Sequence, residues 1–350
     1  MFIKPLAIPE HILCAQALDS RTPATHPSKE TFSNRAANLL SGYKGEKSMK
    51  YHLQFLPADD FFILHYVRLP NQNGYFQLDF LILSRWFHLI IEVKNIYDNV
   101  NFDDLGQVYR TIDGSVQVFG NPIEQINMQY RRLLNWLRKH DFPPVPIEKI
   151  VVYSRDDTYL RNITNDKVIS DIVMHRDKII SKINFFMNKY QSPSLSETRL
   201  TDLSWQLLEE HEPEEGDGMD QFNIGYTDLI KGVICPACVA VPMHWKSGKW
   251  NCLSCGCTSK TAHRPTLADY ALLVGEYINN RQARDFLRVK SIHTAKRLIQ
   301  QERFQQFGKT SGRRYKIDVD KLLNAKMYDE FAKVHTKSAK VHSKSDKVHN

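Results

Sequence analysis

The chain is as informative in what it omits as in what it contains. No stretch of its 350 residues approaches the roughly 18 consecutive apolar residues of a membrane span, so no membrane partner is expected. Met1 to Ala17 mixes apolar and charged groups, without the basic start and clean apolar core of a secretory leader. Cysteine is scarce outside one segment: five of six lie between Cys235 and Cys257, and Cys14 stands alone as a candidate small buried side chain. That clustering excludes a distributed disulfide framework and favours metal chelation in a reducing compartment, so the expected location is cytoplasmic. With 42% hydrophobic residues, the chain is long enough for two or three globular domains.

Charge is unevenly spread. From Lys260 onward there are 20 Lys and Arg against 9 Asp and Glu, although the whole chain carries only +8, so the part before Lys260 is net acidic. Phosphate is the first partner to consider for the basic part, and a merely soluble surface is the plainer one.

Tyr75 to Asn95 consists of two apolar, β-branched and aromatic runs around a short break at Ser84 and Arg85, the pattern of two adjacent strands. Alternation along a strand puts Glu92 and Lys94 on one face and Ile91 and Val93 on the other, with Asp79 of the partner strand within reach. Carboxylates at the end of apolar strands repel one another unless something bridges them. One reading is a strand-edge salt bridge among Asp79, Glu92 and Lys94. The other is a site in which Asp79 and Glu92 hold Mg²⁺ or Mn²⁺ and Lys94 stands beside the metal to orient water or stabilise phosphate charge.

An Asp followed about a dozen residues later by Glu-x-Lys resembles the PD-(D/E)xK nuclease core. The surroundings resemble, more narrowly, the nuclease-related domain (NERD) of bacterial proteins. Three pieces carry the likeness in the family's order: Gly42-Tyr-Lys-Gly-Glu46, the Asp79 to Glu92-Val-Lys94-Asn95 hairpin, and Asn121-Pro-Ile-Glu-Gln125. They cover roughly residues 35 to 160. Leu78 stands where the wider superfamily has the proline of "PD". The resemblance implies an α/β fold with a central mixed sheet flanked by helices and a metal-dependent nuclease. It makes Asp79, Glu92 and Lys94 catalytic, Glu46 a further acidic group over the metal, and Gln125 a contact to the carboxylates, bound water or nucleic acid.

Along the chain, residues 1–33 read as an extended, proline-bearing lead-in and 34–190 as the nuclease-like domain. Within the latter, helices are expected at Asn34 to Leu40 and Gly45 to Leu56, which would place Glu46 at a helix start favoured by the dipole. Strands are expected at Phe61 to Leu69, Ile147 to Tyr153 and Val168 to Met174, with edge strands around the Asp113-Gly114 turn. Asn121-Pro122 should open a helix, on which Arg131, Arg132, Arg138 and Lys139 form a basic stripe; another helix should span Asp177 to Tyr190. Residues 191–230 read as an acidic linker, with Asp202 to Glu210 a candidate helix inside it.

Cys235-Pro-Ala-Cys238 and Cys252-Leu-Ser-Cys255 supply four thiolates for structural Zn²⁺, and 231–262 resembles a zinc ribbon with a hairpin at Ser247-Gly248. Cys257 is a rival to Cys255, while His244 and His263 read as ordinary polar residues. Residues 263–330 read as a helix-turn-helix-like module with helices at Leu267 to Tyr277, Asn280 to Leu287 and Ser291 to Gln301. The last should face Ile292, Ala295, Leu298 and Ile299 inward. His293, Thr294, Lys296 and Arg297 would then meet DNA, with Arg313 and Arg314 on a wing. A helical bundle docking a protein partner is the alternative. The repeats at Lys333, Lys340 and Lys347 suggest a disordered basic tail over 331–350. The combined expectation is a nuclease targeted to DNA, against a non-catalytic DNA-binding or adaptor protein that retains a nuclease-like core.

Overall fold

A computed structural model describes residues 1–72, 74–216 and 219–323. Two compact units result: Met1–Ala7 with Ser41–Glu214, and Ile8–Leu40 with the chain from Glu215 onward. The expected basic tail lies outside the described residues.

The chain opens with β1 (Phe2–Lys4), α1 (Glu10–Arg21) and α2 (Lys29–Leu53). The lead-in is therefore not extended. Its prolines fall at Pro5 and Pro9, before α1, and at Pro23 and Pro27, between the helices, where a missing N–H costs nothing. The two helices expected at 34–40 and 45–56 are one, so Glu46 lies in a helix interior and not at a start.

The first unit continues with β2 (Phe62–Asn71), β3 (Gly74–Leu83), β4 (His88–Lys94), β5 (Asp98–Phe102), β6 (Val108–Ile112) and β7 (Ser115–Phe119). Then come α3 (Pro122–Lys139), β8 (Ile147–Tyr153), β9 (Thr158–Asn162), α4 (Lys167–Ile172), β10 (Val173–His175), α5 (Ile179–Lys189) and α6 (Glu197–Glu209). The central six-stranded sheet has the order β1-β2-β3-β4-β8-β10. It is mixed: β2, β3 and β4 run antiparallel in turn, while β4, β8 and β10 are parallel. One apolar cluster fills the face covered by α3 and α6, with Ile126, Leu133, Leu203 and Leu207 buried. A second fills the opposite face with Met49 and Leu53 of α2 and Ile183 and Phe186 of α5.

Several local expectations are corrected. The Asp113-Gly114 turn is present, with both residues at positive φ and Ile112 paired to Ser115. Its strands are not edges of the central sheet, however, but belong to a separate four-stranded sheet, β7-β6-β5-β9. Val168 to Met174 is mostly the helix α4, because Asp166 caps the Val168 amide at 2.8 Å and commits the segment to helix before the strand begins. The expected linker holds α6, whose Ser196 cap and apolar stripe of Leu200, Leu203 and Leu207 pack it onto the unit.

In the other unit, β11 (His244–Lys246), β12 (Lys249–Asn251) and β13 (Thr258–Ser259) form a three-stranded sheet. They precede α7 (His263–Leu273), β14 (Tyr277–Asn279), α8 (Asn280–Leu287), α9 (Ile292–Gln301), β15 (Gln305–Phe307), β16 (Arg314–Lys316) and α10 (Val319–Leu322). Tyr277 thus opens a strand and does not end a helix. The cysteine-bearing ribbon and the helical part share one core: Val233, Met243 and Trp250 cluster with Leu267, Phe286 and Leu298, and Leu13, Ala17 and Leu18 of α1 complete it.

At the centre of that core Arg21 is fully buried and bonds Asp269 at 2.6 Å, Thr266 at 3.0 Å and the carbonyl of Gly232 at 2.7 Å. Burial raises the Asp269 pKa against the pull of Arg21. Removing one member of such a pair strands a charge in low dielectric, at a cost of about 3–5 kcal/mol. Arg21→Ala should therefore lower the unfolding free energy of this unit by that amount in a denaturant titration. The apolar double variant Arg21→Met/Asp269→Leu should recover most of it. A cost below about 1 kcal/mol for the single variant would contradict the assignment.

Candidate metal and nucleic-acid sites

The central sheet changes phase where the acidic residues enter. In β3, Phe76 and Leu78 face the α3 side, whereas Phe80 and Ile82 face the α2 side. In β2, Leu64 and Val67 both face the α3 side although three residues apart. Both slips fall between the pairs His65↔Phe80 and Val67↔Leu78, which leaves Tyr66 and Asp79 at the break. Tyr66 takes φ +53°, a left-handed conformation that is costly for a bulky residue and is sustained only where the surroundings enforce it.

Asp79 turns its carboxylate to the next strand and accepts the Val93 amide at 2.8 Å. Glu92, 2% exposed, follows the buried run Leu89-Ile90-Ile91 and is satisfied from two sides. Lys94 donates to it at 2.8 Å, and Gln129 of α3 donates at 2.9 Å. Lys94 also donates to Gln125 Oε1 at 2.9 Å. Gln125 is exposed and reaches the lysine, not a carboxylate; its i+4 neighbour Gln129 makes the carboxylate contact. Glu46 is anchored by His65, Oε2 to Nε2 2.6 Å. Burial raises the Asp79 pKa well above the usual carboxylate value, and the charges of Glu92 and Glu46 add to the rise; the Val93 amide and Lys94 oppose it.

Gln129 and His65 are the partners that sequence reading missed. The signal for His65 was a lone imidazole in the apolar run Phe-Ile-Leu-His-Tyr-Val; that for Gln129 was its spacing from Gln125. The donor set suits a hard cation: carboxylate oxygens under mutual repulsion, beside a buried Gln129 Oε1 with no hydrogen-bond partner among the described residues. Glu46, Asp79 and Glu92 do not, however, draw their oxygens within 4.8 Å of one another; among the described residues only the cysteine set gathers that tightly. A cavity of about 450 Å³ opens beside Asp79, lined by Tyr75, Gln125, Met128, Gln129 and Arg132.

The four thiols of Cys235, Cys238, Cys252 and Cys255 lie within 4.8 Å of one another. Each C-x-x-C is followed by a left-handed residue, Val239 at φ +58° and Gly256 at φ +71°, whose amide bonds back to the first cysteine's carbonyl at 3.0 Å. These paired turns aim the thiols at a common centre that can hold one tetrahedral zinc. Cys257 is outside the cluster; its carbonyl accepts the Cys252 amide, so Cys255 is the fourth thiol. His244 is exposed, but His263 is buried, 3.2 Å from Glu302 and accepting from the Trp250 indole.

Helix α8 begins with a capping box between Asn279 and Gln282 and ends at Arg288 in the left-handed conformation. A short turn then leads to Ser291, which caps α9. His293, Lys296 and Arg297 are exposed and Thr294 is half-buried. Ile292, expected inside, is 56% exposed, because it is the first helical residue and precedes the face formed by Ala295, Leu298 and Ile299. Tyr315 pairs with Gln306 in the β15–β16 hairpin, where Arg314 is exposed and Arg313 half-buried.

The two glycines of Gly42-Tyr-Lys-Gly-Glu46 are not equivalent. A Cβ on Gly45 would come within 2.7 Å of Asn95 Cβ and 2.8 Å of Ser154 Oγ, so this glycine lets α2 approach the ends of β4 and β8 and sets Glu46 in place. Gly42 has open space. Gly45→Ala should cost about 1–3 kcal/mol by overpacking, whereas Gly42→Ala should gain up to about 1 kcal/mol from helix propensity. Thermal unfolding of the two variants checks the contrast, and equal effects would contradict it.

No curated protein and no solved structure matches the chain. The family model described as "Nuclease-related domain" (NERD) matches residues 41–154, which span Glu46, Asp79, Glu92, Lys94, Gln125 and Gln129. Residues 41–154 of this chain form a nuclease-related domain.

Proposed function

We propose that the protein is a divalent-metal-dependent nuclease, acting on DNA in the cytoplasm, with a structural zinc and a helix-turn-helix that engages DNA. The observation that carries this reading is the convergence of Asp79, Glu92 and Lys94, from adjacent strands, with Gln129 beside a cavity open to a phosphate. Asp79 and Glu92 hold Mg²⁺ or Mn²⁺, which when bound supplies Lewis-acid polarisation of the phosphate and a water of lowered pKa. Lys94 places an ammonium at the reacting centre to orient that water and offset developing charge. Gln129 fixes the Glu92 rotamer, Gln125 positions Lys94, and His65 holds Glu46 as a further acidic group. The exposed side chains of His293, Lys296, Arg297 and Arg314, with Thr294 and Arg313 beside them, face the duplex.

A non-cutting DNA-binding role is favoured by one observation, the tie of Lys94 to both Glu92 and Gln125, which occupies the ammonium internally. Cleavage assays decide between the two. Asp79→Asn, Glu92→Gln and Lys94→Ala should each lower Mg²⁺- or Mn²⁺-dependent cleavage of DNA by roughly 10²-fold or more while circular dichroism stays native. No cleavage by the wild-type chain on linear or circular, single- or double-stranded DNA would leave the binding role.

The zinc assignment has its own test. Elemental analysis should find one zinc per chain. Cys255→Ser should reduce zinc retention and loosen the unit that buries Cys235 and Cys252, whereas Cys257→Ser should leave zinc content unchanged.

A further inference from the structure

Two cavities adjoin along α3. The one at Asp79 shares Met128 and Arg132 with a larger one of about 920 Å³, also lined by Asn71, Trp136, Arg138 and Lys139. Together they follow the helix from Gln125 to Lys139, about 21 Å at 1.5 Å per residue. Among the described residues, Asp79 is the one acidic residue lining this trough; Arg132, Arg138 and Lys139 are its cations, all exposed. Its exposed apolar surface comes from Met128, 47% exposed, and Tyr75, 41% exposed, while Trp136 is buried in the wall beneath.

The walls are held in place. The Tyr75 hydroxyl bonds Glu212, and Arg68 covers its ring at 3.8 Å. The Trp136 indole donates to Glu210 at 2.8 Å. At the other end of α3 the surface reverses sign: a cavity of about 390 Å³ is lined by Asp103, Asp104, Glu124 and Asp166 and by no cation. A polyanion is therefore attracted along one direction from Asp79 and repelled along the other.

We infer that the trough along α3 is the seat of a single strand of DNA, gripped on one side of Asp79 by Arg132, Arg138 and Lys139. Cations spaced along a helix pair with successive phosphates, and exposed methionine and aromatic side chains give unpaired bases a surface that a duplex has no use for. At 3.4 Å or more per phosphate, the length accommodates at most about six nucleotides. The inference rests on the nuclease reading for where a strand would be cut, but not for how it is held.

The test uses the full chain with Asp79→Asn, without divalent cation, so that binding is read independently of cutting. A fluorescent 12-nucleotide single-stranded DNA is titrated over a range of salt, with and without Arg132→Ala/Arg138→Ala/Lys139→Ala. With about 0.7 released counterions per phosphate contact on a single strand, the triple variant should lose about 2 from the slope of log affinity against log salt. Arg161→Ala, on β9 and outside the trough, should leave the slope unchanged. Arg132→Lys/Arg138→Lys should keep most of it, which separates charge from fold.

An unchanged slope in the triple variant overturns the proposal. So does a loss confined to duplex DNA, or to single-stranded RNA run in parallel. Cleavage by the wild type with no effect of the triple variant on binding would leave the nuclease reading standing and sink the trough. The expected slope change with no cleavage would do the reverse.

Discussion

The nuclease-related domain is organised around the cost of burying Glu92. A carboxylate at 2% exposure, after three fully buried aliphatic residues, must be neutralised and hydrogen-bonded or it destabilises the strand that carries it. Lys94 supplies the charge from the same face of the strand, and Gln129 supplies the second hydrogen bond from α3. The Gln129 bond, with that of Lys94 to Gln125, ties the helix to the sheet and brings Gln125, Met128 and Arg132 to the rim of the cavity. Asp79 meets the same patch because its strand breaks phase opposite Tyr66. Burial and the charges of Glu92 and Glu46 then raise the proton affinity of Asp79, a state that a hard cation relieves.

The other unit solves a similar problem with a different ending. Arg21 and Asp269, both buried, neutralise one another, and the guanidinium donates its remaining hydrogen bonds to Thr266 Oγ1 and to the Ile230 and Gly232 carbonyls. This pair ties α1 to α7 and fixes how they pack. The polar contacts around Glu92 instead border open space. Of these two buried ion pairs, one joins two helices and the other lies next to the side chains that line a cavity.

Much of the architecture was legible because it rests on local signals. The Glu92/Lys94 face follows from strand pleating, the Asp113-Gly114 turn from its two positive-φ residues, the α3 start from Asn121-Pro122, and the thiol cluster from two C-x-x-C turns. What escaped depends on distant partners. Helix α1 looked like a proline-bearing lead-in, since its buried face is completed by residues more than two hundred positions away. Glu46 looked like a helix start because Gly42 and Gly45 weaken a helix locally; the contact of α2 with Asn95 and Ser154 overrides that propensity and requires Gly45. Ribbon and helical module read as separate because each has its own motif, yet Trp250 and Phe286 lie in one core. His65 and Gln129 carry no motif, and their roles come from strand pairing and helix docking.

The central claim is that Asp79 and Glu92 together make a cation site. Electron paramagnetic resonance of Mn²⁺ added to the zinc-loaded full chain tests it without reference to any substrate. A saturable Mn²⁺ site that Mg²⁺ displaces in the wild type, and that vanishes in Glu92→Gln while zinc content is unchanged, is the result the account predicts. Mn²⁺ binding that is absent from the wild type, or undiminished in Glu92→Gln, would contradict it.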